Sequence, residues 1–319
     1  MPRTVLYVYL GTLCLYIVLR LSFGDSLWWL SLLNTFAAFL FVPLLVALPL
    51  AWCKRWYLGL TLTSLLSVVG LLWFGPGLSL GPRGVLEGLR LEVVTYNMKI
   101  NAEGLEAWLK QMDADIVMLQ EVPKGFAKDI PALREQYPYQ LDQPEWQNTI
   151  LSRYPLSETE AATDVPVQHA EVTVNGRNLA LYNVHLRWPI GEPRLSSLPW
   201  FELDAFSRYD DTVRNQQVDA LLASLRREPS PYIVAGDFNL SQYSASYEHI
   251  EEVMRDAFRE AGWGWGNTWP AKLQSGLPVP LLLRLDYIWH SEDFAAFEVA
   301  RGPKLASDHL PVYAVLGLE

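Results

Sequence analysis

The chain opens on three long apolar stretches and then changes its pattern. Thr4 to Leu19 (extendable past Arg20 to Phe23), Ser26 to Cys53, and Trp56 to about Phe74 carry almost no charge. Each reaches the roughly 20 residues needed to cross a bilayer, so residues 1–74 are expected to form a membrane domain of three transmembrane helices. A cleaved signal peptide followed by buried core helices is the competing reading, but no small-residue cleavage site follows the first run. Trp28, Trp29, Trp52 and Trp56 stand near the ends of these stretches, where aromatic side chains anchor at a membrane interface. Pro43 and Pro49 predict a kink or a shortening of the second helix. Gly75, Pro76, Gly77, Gly81, Pro82, Gly84 and Gly88 then mark residues 75–90 as a linker.

From residue 91 the apolar runs become short, and each stops at a polar residue. Leu91 to Tyr96 reads as a strand ending at Asn97. Leu105, Trp108, Leu109 and Met112 recur at helical spacing, and Asp115 to Leu119 reads as a second strand ending at Gln120 and Glu121. Strand, helix and strand in that order predict parallel neighbours, which brings Asn97 and Glu121 to one end of one sheet. Leu179 to Val184 runs into His185, and Tyr232 to Ala235 into Gly236-Asp237-Phe238-Asn239. Val213, Val218, Leu221, Leu222 and Leu225 predict one helix face, and Ile250, Val253, Met254 and Phe258 another. The chain closes with Leu285 to Trp289, carrying Asp286, and Val312 to Leu316, entered through Ser307-Asp308-His309. The expected fold class of residues 91–319 is a layered α/β domain with its chemistry at one edge.

Charge sharpens the division. Residues 1–80 hold four basic side chains against one acidic, so a chain whose net charge is −10 has −13 on the remainder. So acidic a domain is not expected to bind nucleic acid stably, since phosphate backbones are held mainly by Lys and Arg. Cys14 and Cys53 are the only cysteines and both lie in the apolar region, which excludes a disulfide framework or thiolate zinc site from the acidic domain. Arg3 precedes the first stretch, and Lys54 and Arg55 separate the second from the third. With three crossings the positive-inside rule makes that side cytoplasmic and the acidic domain extracytoplasmic, although Arg20 and Arg83 run against it. The expected location is the cell membrane, as a multi-pass protein.

Each polar residue taken singly has a plain structural explanation. Asn97 and Asn239 suit turns, Asp237 a loop, and Asp308 a cap before His309. His185 and His309 are equally readable as satisfied core histidines, and His169, His249 and His290 as structural or surface residues. Asp286 inside an apolar strand is harder to dismiss, because a buried unpaired carboxylate is costly.

Taken together, Thr95-Tyr96-Asn97, Leu119-Gln120-Glu121, Asn183-Val184-His185, Gly236-Asp237-Phe238-Asn239, Arg284-Leu285-Asp286-Tyr287 and Ser307-Asp308-His309 follow a known order. The chain resembles the endonuclease/exonuclease/phosphatase superfamily, the DNase I-like metal-dependent phosphoesterases, over about residues 90–319. Its membrane segment resembles that of a bacterial branch that includes VanJ-like teicoplanin-resistance proteins. The resemblance implies a DNase I-like four-layer α/β sandwich. It implies that Asn97 and Glu121, with Asp308 nearby, bind a divalent cation. Oxygen ligands without cysteine point to Mg²⁺, with Mn²⁺ as the other choice. It further implies that Asp237 orients or deprotonates water and that Asn239 holds the phosphoryl group. His309, paired with Asp286, would act as acid/base or stabilise the transition state, and His185 would contact the opposing phosphate oxygen. Asn148-Thr149-Ile150-Leu151-Ser152-Arg153 resembles the central strand motif, with Asn148 and Arg153 as substrate contacts.

The family's substrates are diverse, so the substrate must be read elsewhere. The acidic charge disfavours a polyanion, and a membrane anchor favours a membrane lipid. Pro278 to Leu283, together with Trp188, Trp200, Phe201, Phe206, Trp263, Trp265 and Trp269, either form an apolar rim dipping into lipid or pack on the protein. Arg187, Arg194, Arg208 and Arg214 could grip a headgroup, diluted by Asp204, Asp210 and Asp211. The expectation is a membrane-anchored phosphoesterase acting on a phosphate or pyrophosphate ester of a lipid. An exported nuclease and a non-catalytic lipid- or partner-binding protein are the alternatives.

Overall fold

The computed structural model describes residues 3–78, 88–124, 126, 131–159, 165–190, 208–271 and 281–318. Gly81, Pro82, Arg83, Gly84, Arg194, Trp200, Phe201, Asp204, Phe206 and Pro278 lie outside the described residues. The chain divides into two compact units: residues 1–76 with 190–211 and 241–247, and residues 77–189 with 212–240 and 248–319.

The first unit is helical. Helices α1 (Arg3–Phe23) and α5 (Tyr57–Phe74) are long and apolar enough to cross a membrane, and only 22% and 28% of their apolar windows are buried. Val8, Leu15, Val18 and Leu21 of α1 and Leu65, Leu71 and Leu72 of α5 present bare hydrocarbon outward, an arrangement stable against lipid rather than water.

The second apolar stretch is not one straight helix. It divides into α2 (Trp28–Thr35), α3 (Ala37–Phe41) and α4 (Leu44–Cys53), with a bend of 71° between α2 and the helices after it. The bend falls at Phe36 and not at Pro43 or Pro49; Pro43 caps α4 and Pro49 lies inside it. The polar side chains of α2 supply the physical reason. Asn34 donates to Asp25 and to the Gly24 carbonyl and accepts from the Tyr16 hydroxyl, while Ser31 donates to Asp211. Thr35 bonds the Ser31 carbonyl and meets the Tyr209 hydroxyl. Such bonds fix the direction of α2 and compete with its continuation. Among the described residues, two helices, or three if the bent pair counts as one span, therefore meet the length and composition required for crossing.

The second unit is an α/β fold built on two six-stranded sheets. One runs β13 (Phe294–Arg301), β14 (Val312–Leu318), β2 (Leu89–Asn97), β3 (Ile116–Gln120), β5 (Asn148–Ser152) and β4 (Tyr139–Gln143). The other runs β10 (Arg255–Asp256), β12 (Asp286–His290), β9 (Tyr232–Asp237), β8 (Arg177–His185), β7 (Val167–Val174) and β6 (Leu156–Glu158). A two-stranded ribbon pairs β1 (Gly77–Leu78) with β11 (Trp263–Gly264).

Alternation on β2 shows how sequence makes the layers. Leu91 and Val93 join Ile116, Met118, Ile150, Leu179, Leu181, Ile233 and Ile288 in the core between the sheets. Val94 and Tyr96 point the other way, toward Leu105, Trp108 and Leu109 of helix α6 (Leu105–Met112). The helix over Thr212–Leu225 buries Val218, Leu221, Leu222 and Leu225 but leaves Val213 half exposed. The face expected over Ile250 to Phe258 is interrupted: a helix over Ala245–Glu251 ends, β10 follows, and Asp256 caps a new helix over Ala257–Ala261 by accepting from the Phe258 amide.

Candidate active site

Register decides what meets at the strand ends. β2 and β3 are parallel with Asn97 opposite Gln120, so Asn97 and the following Glu121 share a sheet end as the spacing predicts. β8 and β9 are parallel with His185 opposite Asp237, and antiparallel β12 sets Asp286 opposite Asp237. Three neighbouring strands thus deliver His185, Asp237 and Asp286 in one row.

The local backbone is as specialised as the side chains. Gly236 has φ +148°, and a Cβ there would lie 1.9 Å from the Val184 carbonyl oxygen, so only glycine fits. Glu121 and Asn239, neither of them glycine, sit at φ 49°. Left-handed geometry at such residues is held by its surroundings. The Asn239 amide donates to Asp237 (2.9 Å), the Asn239 carbonyl accepts from buried Arg214 (2.9 Å), and its side-chain amide donates to the Leu186 carbonyl (2.9 Å).

Six side chains make a continuous cluster. The Asn97 Nδ2 group donates to Glu121 (3.0 Å) and Asp237 (3.0 Å), while its Oδ1 accepts from the Lys99 amide. His185 Nε2 lies 3.7 Å from Glu121 Oε1. His309 Nε2 lies 3.8 Å from Asp237 Oδ2, and its Nδ1 is 2.9 Å from Asp286 Oδ2. Asp286 Oδ2 also accepts from the Thr268 hydroxyl at 2.5 Å. The carboxylate that looked costly in sequence is therefore partnered by a histidine and a hydroxyl.

These contacts set the protonation states. Burial pushes the Asp237 carboxyl up to about 6, against the pull of the His309 and His185 imidazoles. Burial works against charge on His309, but Asp286 and Asp237 outweigh it and raise the imidazole to about 10. Near neutral pH the pair is an ionised carboxylate beside an imidazolium.

The remaining expected residues fall into two groups. Asp308 adjoins the cluster and is ion-paired with the Lys99 ammonium, and its other oxygen, Oδ1, is buried with no hydrogen-bond partner among the described residues. Asn148 reaches the Asn183 carbonyl across the two sheets at 3.2 Å, and its buried Oδ1 likewise has no partner there. Arg153 does not join them. It follows the far end of β5, where it pairs with Asp113 and approaches Asp115 at the opposite end of β3. Five residues of strand, about 16 Å, separate it from Asn148, so the structure corrects its assignment as a substrate contact. The reason is antiparallel geometry: a strand motif has two ends, and only one faces the site.

Lys99, Thr268 and Arg214 were not singled out by sequence for the roles they take here. Thr268 lies in a loop with no periodic signal, and only the fold brings it to Asp286. Gln120 and Asn183 lie just behind the site. The Gln120 amide donates to Asn183 Oδ1 (2.7 Å), and the Asn183 amide faces the carbonyls of Leu119 and Thr149 and the Gln168 side chain.

The donor set suits a hard cation. Glu121 and Asp237, both bonded to the Asn97 side chain, offer carboxylate oxygens, and a turn of the Asn97 amide, which exchanges its oxygen and nitrogen, would add a carbonyl oxygen; these two carboxylates and Asp308 do not all lie within 4.8 Å of one another. The Asp308 Oδ1 atom, buried without a hydrogen-bond partner among the described residues, is a free acceptor of the kind a hard cation takes. Asp237, Asp286 and His309 also lie close enough to hold an ion, although the Nδ1 contact to Asp286 already gives them an acid/base arrangement.

Solved structures with this fold include an endonuclease/exonuclease/phosphatase from Bacteroides vulgatus, at 16% identity and TM-score 0.53, covering 72% of this chain and all of the other. D. rerio TDP2 complexed with a single-strand DNA product matches at 20% identity and TM-score 0.54, covering 72% and 99%. An endonuclease/exonuclease/phosphatase from Beutenbergia cavernae matches at 19% identity and TM-score 0.50, covering 72% of each chain. No curated protein matches the sequence. The Endonuclease/Exonuclease/phosphatase family model matches residues 94–309, which run from β2 to His309. Members of that family are generally metal-dependent hydrolases of phosphoester bonds, and this chain belongs to it.

Proposed function

We propose that this protein is a membrane-anchored, Mg²⁺-dependent phosphoesterase that hydrolyses a phosphate or pyrophosphate ester of a lipid outside the cytoplasmic membrane. The observation that carries the chemistry is Asp237 beside His309, itself held by Asp286. Asp237, fixed by the Asn239 amide, accepts the proton of the attacking water. The water oxygen bonds to phosphorus as the bond to the leaving oxygen breaks. His309, as imidazolium, donates toward the phosphoryl group or the departing oxygen, and His185 approaches from the Glu121 side. Glu121, Asp308 and the turned Asn97 amide would hold the cation, which neutralises charge developing on phosphate oxygens.

Membrane lipid as substrate is supported by the outward apolar faces of α1 and α5 and by the −13 charge of the rest of the chain. Resemblance of the membrane segment to VanJ-like proteins supports a polyprenyl pyrophosphate, with a phospholipid headgroup diester as the neighbouring choice. The extracytoplasmic side follows from three crossings with Lys54 and Arg55 inside, the bent pair α2 to α4 counting as one. A reporter fused after Gly88 that works only in the cytoplasm would refute this orientation.

The deciding assay is Mg²⁺-dependent phosphate release from polyprenyl pyrophosphate by the full-length protein in detergent. Short DNA and a phosphodiester lipid run alongside, with Asp237→Asn as the blank. Release from the pyrophosphate alone supports the proposal. Cleavage of DNA alone, with steep salt dependence, moves the protein to the nuclease reading, which the DNA-bound D. rerio neighbour favours.

A further inference from the structure

Gly262-Trp263-Gly264-Trp265-Gly266 places two large aromatic side chains in solvent, Trp263 at 74% and Trp265 at 51% exposure. Indole rings that bare are unusual on a water-facing surface. They do not stand on a loose loop. The Gly262 amide donates to the Phe258 carbonyl, and a Cβ on Gly266 would collide with the Phe258 ring. Arg301 donates to the Asn267 carbonyl, and the Thr268 and Trp269 amides donate to Leu283. The base is tied down while the two rings project, so their exposure is held in place by the fold.

The ribbon gives this surface its surroundings. Trp263 pairs with Leu78 and Gly264 with Gly77. Leu78 lies four residues beyond Phe74, the last residue of the apolar helix α5. Four residues of chain reach at most about 14 Å, roughly twice the depth of one headgroup layer. Trp73 stands at this end of α5, as Trp56 and Tyr57 open it at the other, and aromatic belts of this kind mark the two faces of a bilayer. Any span formed by α5 therefore keeps Trp263 within reach of the interface.

We propose that Trp263 and Trp265 form a docking surface for the lipid bilayer. Their indoles sit at headgroup level and hold the catalytic cluster beside the membrane. Thr268, whose hydroxyl bonds Asp286, is three residues beyond Trp265, so the docked segment runs directly into the support of His309. The inference rests on α5 crossing the membrane; it does not depend on the substrate or on catalysis.

The test uses full-length protein in vesicles of phosphatidylethanolamine and phosphatidylglycerol, with Cys14 and Cys53 changed to Ala. Single cysteines from Trp263→Cys, Trp265→Cys and, as control, Arg177→Cys carry an environment-sensitive fluorophore. Arg177 starts β8 at the end remote from His185. Lipids bearing a nitroxide just below the headgroup should quench positions 263 and 265 at least about 2-fold and leave 177 unchanged. Absence of quenching at both tryptophan positions overturns the proposal, as does equal quenching at 177. A blue-shifted emission that persists in detergent and is insensitive to the nitroxide lipid overturns it in favour of contact with protein, including a second copy of this chain. Because the readout is fluorescence, it stands or falls separately from the phosphoesterase assay.

Discussion

At the scale of single residues, Asp286 shows how an anomaly in sequence becomes chemistry in space. A carboxylate in an apolar strand demands a partner, and the fold supplies His309 and Thr268. Asp237→Asn or His309→Ala is expected to lower turnover at least about 10²-fold, the lower range for acid/base groups; wild-type rates in both variants would remove the assignment. The pH profile has a defined sign. Activity should climb as Asp237 ionises through about 6 and fall as His309 loses its proton near 10. The same shift acts on stability. The folded value of His309 lies above its ordinary 6.5, so its contribution is fully present below pH 6.5 and is lost as pH rises through about 10. Asp286→Asn should move that loss to lower pH, and coincident melting profiles of the two proteins across this range would contradict the pairing.

At the scale of elements, strand register carries the site. His185, Asp237 and Asp286 are paired residues on β8, β9 and β12, and a slip of one residue on any of these strands would turn its group to the other face. The sequence showed each strand and the polar residue at its end, because alternation and abrupt polar stops are local signals. It did not show that β12 lies against β9, since that pairing joins residues far apart in the chain. The Arg153 motif failed for a related reason: local pattern finds a strand but not which end is catalytic. Between the sheets, Asn183 ties β8 to β3 and β5 through completely buried bonds. Asn183→Ala removes the nearest acceptor of the Gln120 amide, which keeps the Thr95 hydroxyl and the Met118 carbonyl, and takes a donor from two backbone carbonyls and Gln168, and should cost about 1–3 kcal/mol. Chemical denaturation of the full-length protein in detergent checks this, and a midpoint equal to wild type would show that the network is not needed.

At the scale of the whole molecule, apolar helices and an acidic α/β domain share one chain. The exposed hydrocarbon of α1 and α5 predicts that the protein stays in the membrane fraction after high-salt and alkaline washing and leaves it only with detergent. Release by carbonate alone would argue against spanning helices. The bend at Phe36 bears on topology, because whether the bent pair counts as one span decides between two and three candidate crossings, and an even number would return the domain to the side of the N-terminus. Fixed by Asn34, Ser31 and their partners, it depends on Tyr209 and Asp211 from far along the chain, which the local proline signals could not reveal.

The sequence by itself determined the apolar stretches, the alternation that makes the strands, the order of the motif residues and the charge division, because each is a property of neighbours in the chain. Tertiary structure decided that Thr268 supports Asp286, that Lys99 pairs with Asp308, that Arg153 lies away from the site, and that Trp263 stands beside Leu78. These contacts join distant segments, and the competition among burial, register and hydrogen bonding that selects them is resolved only when the sheets pair and the core closes.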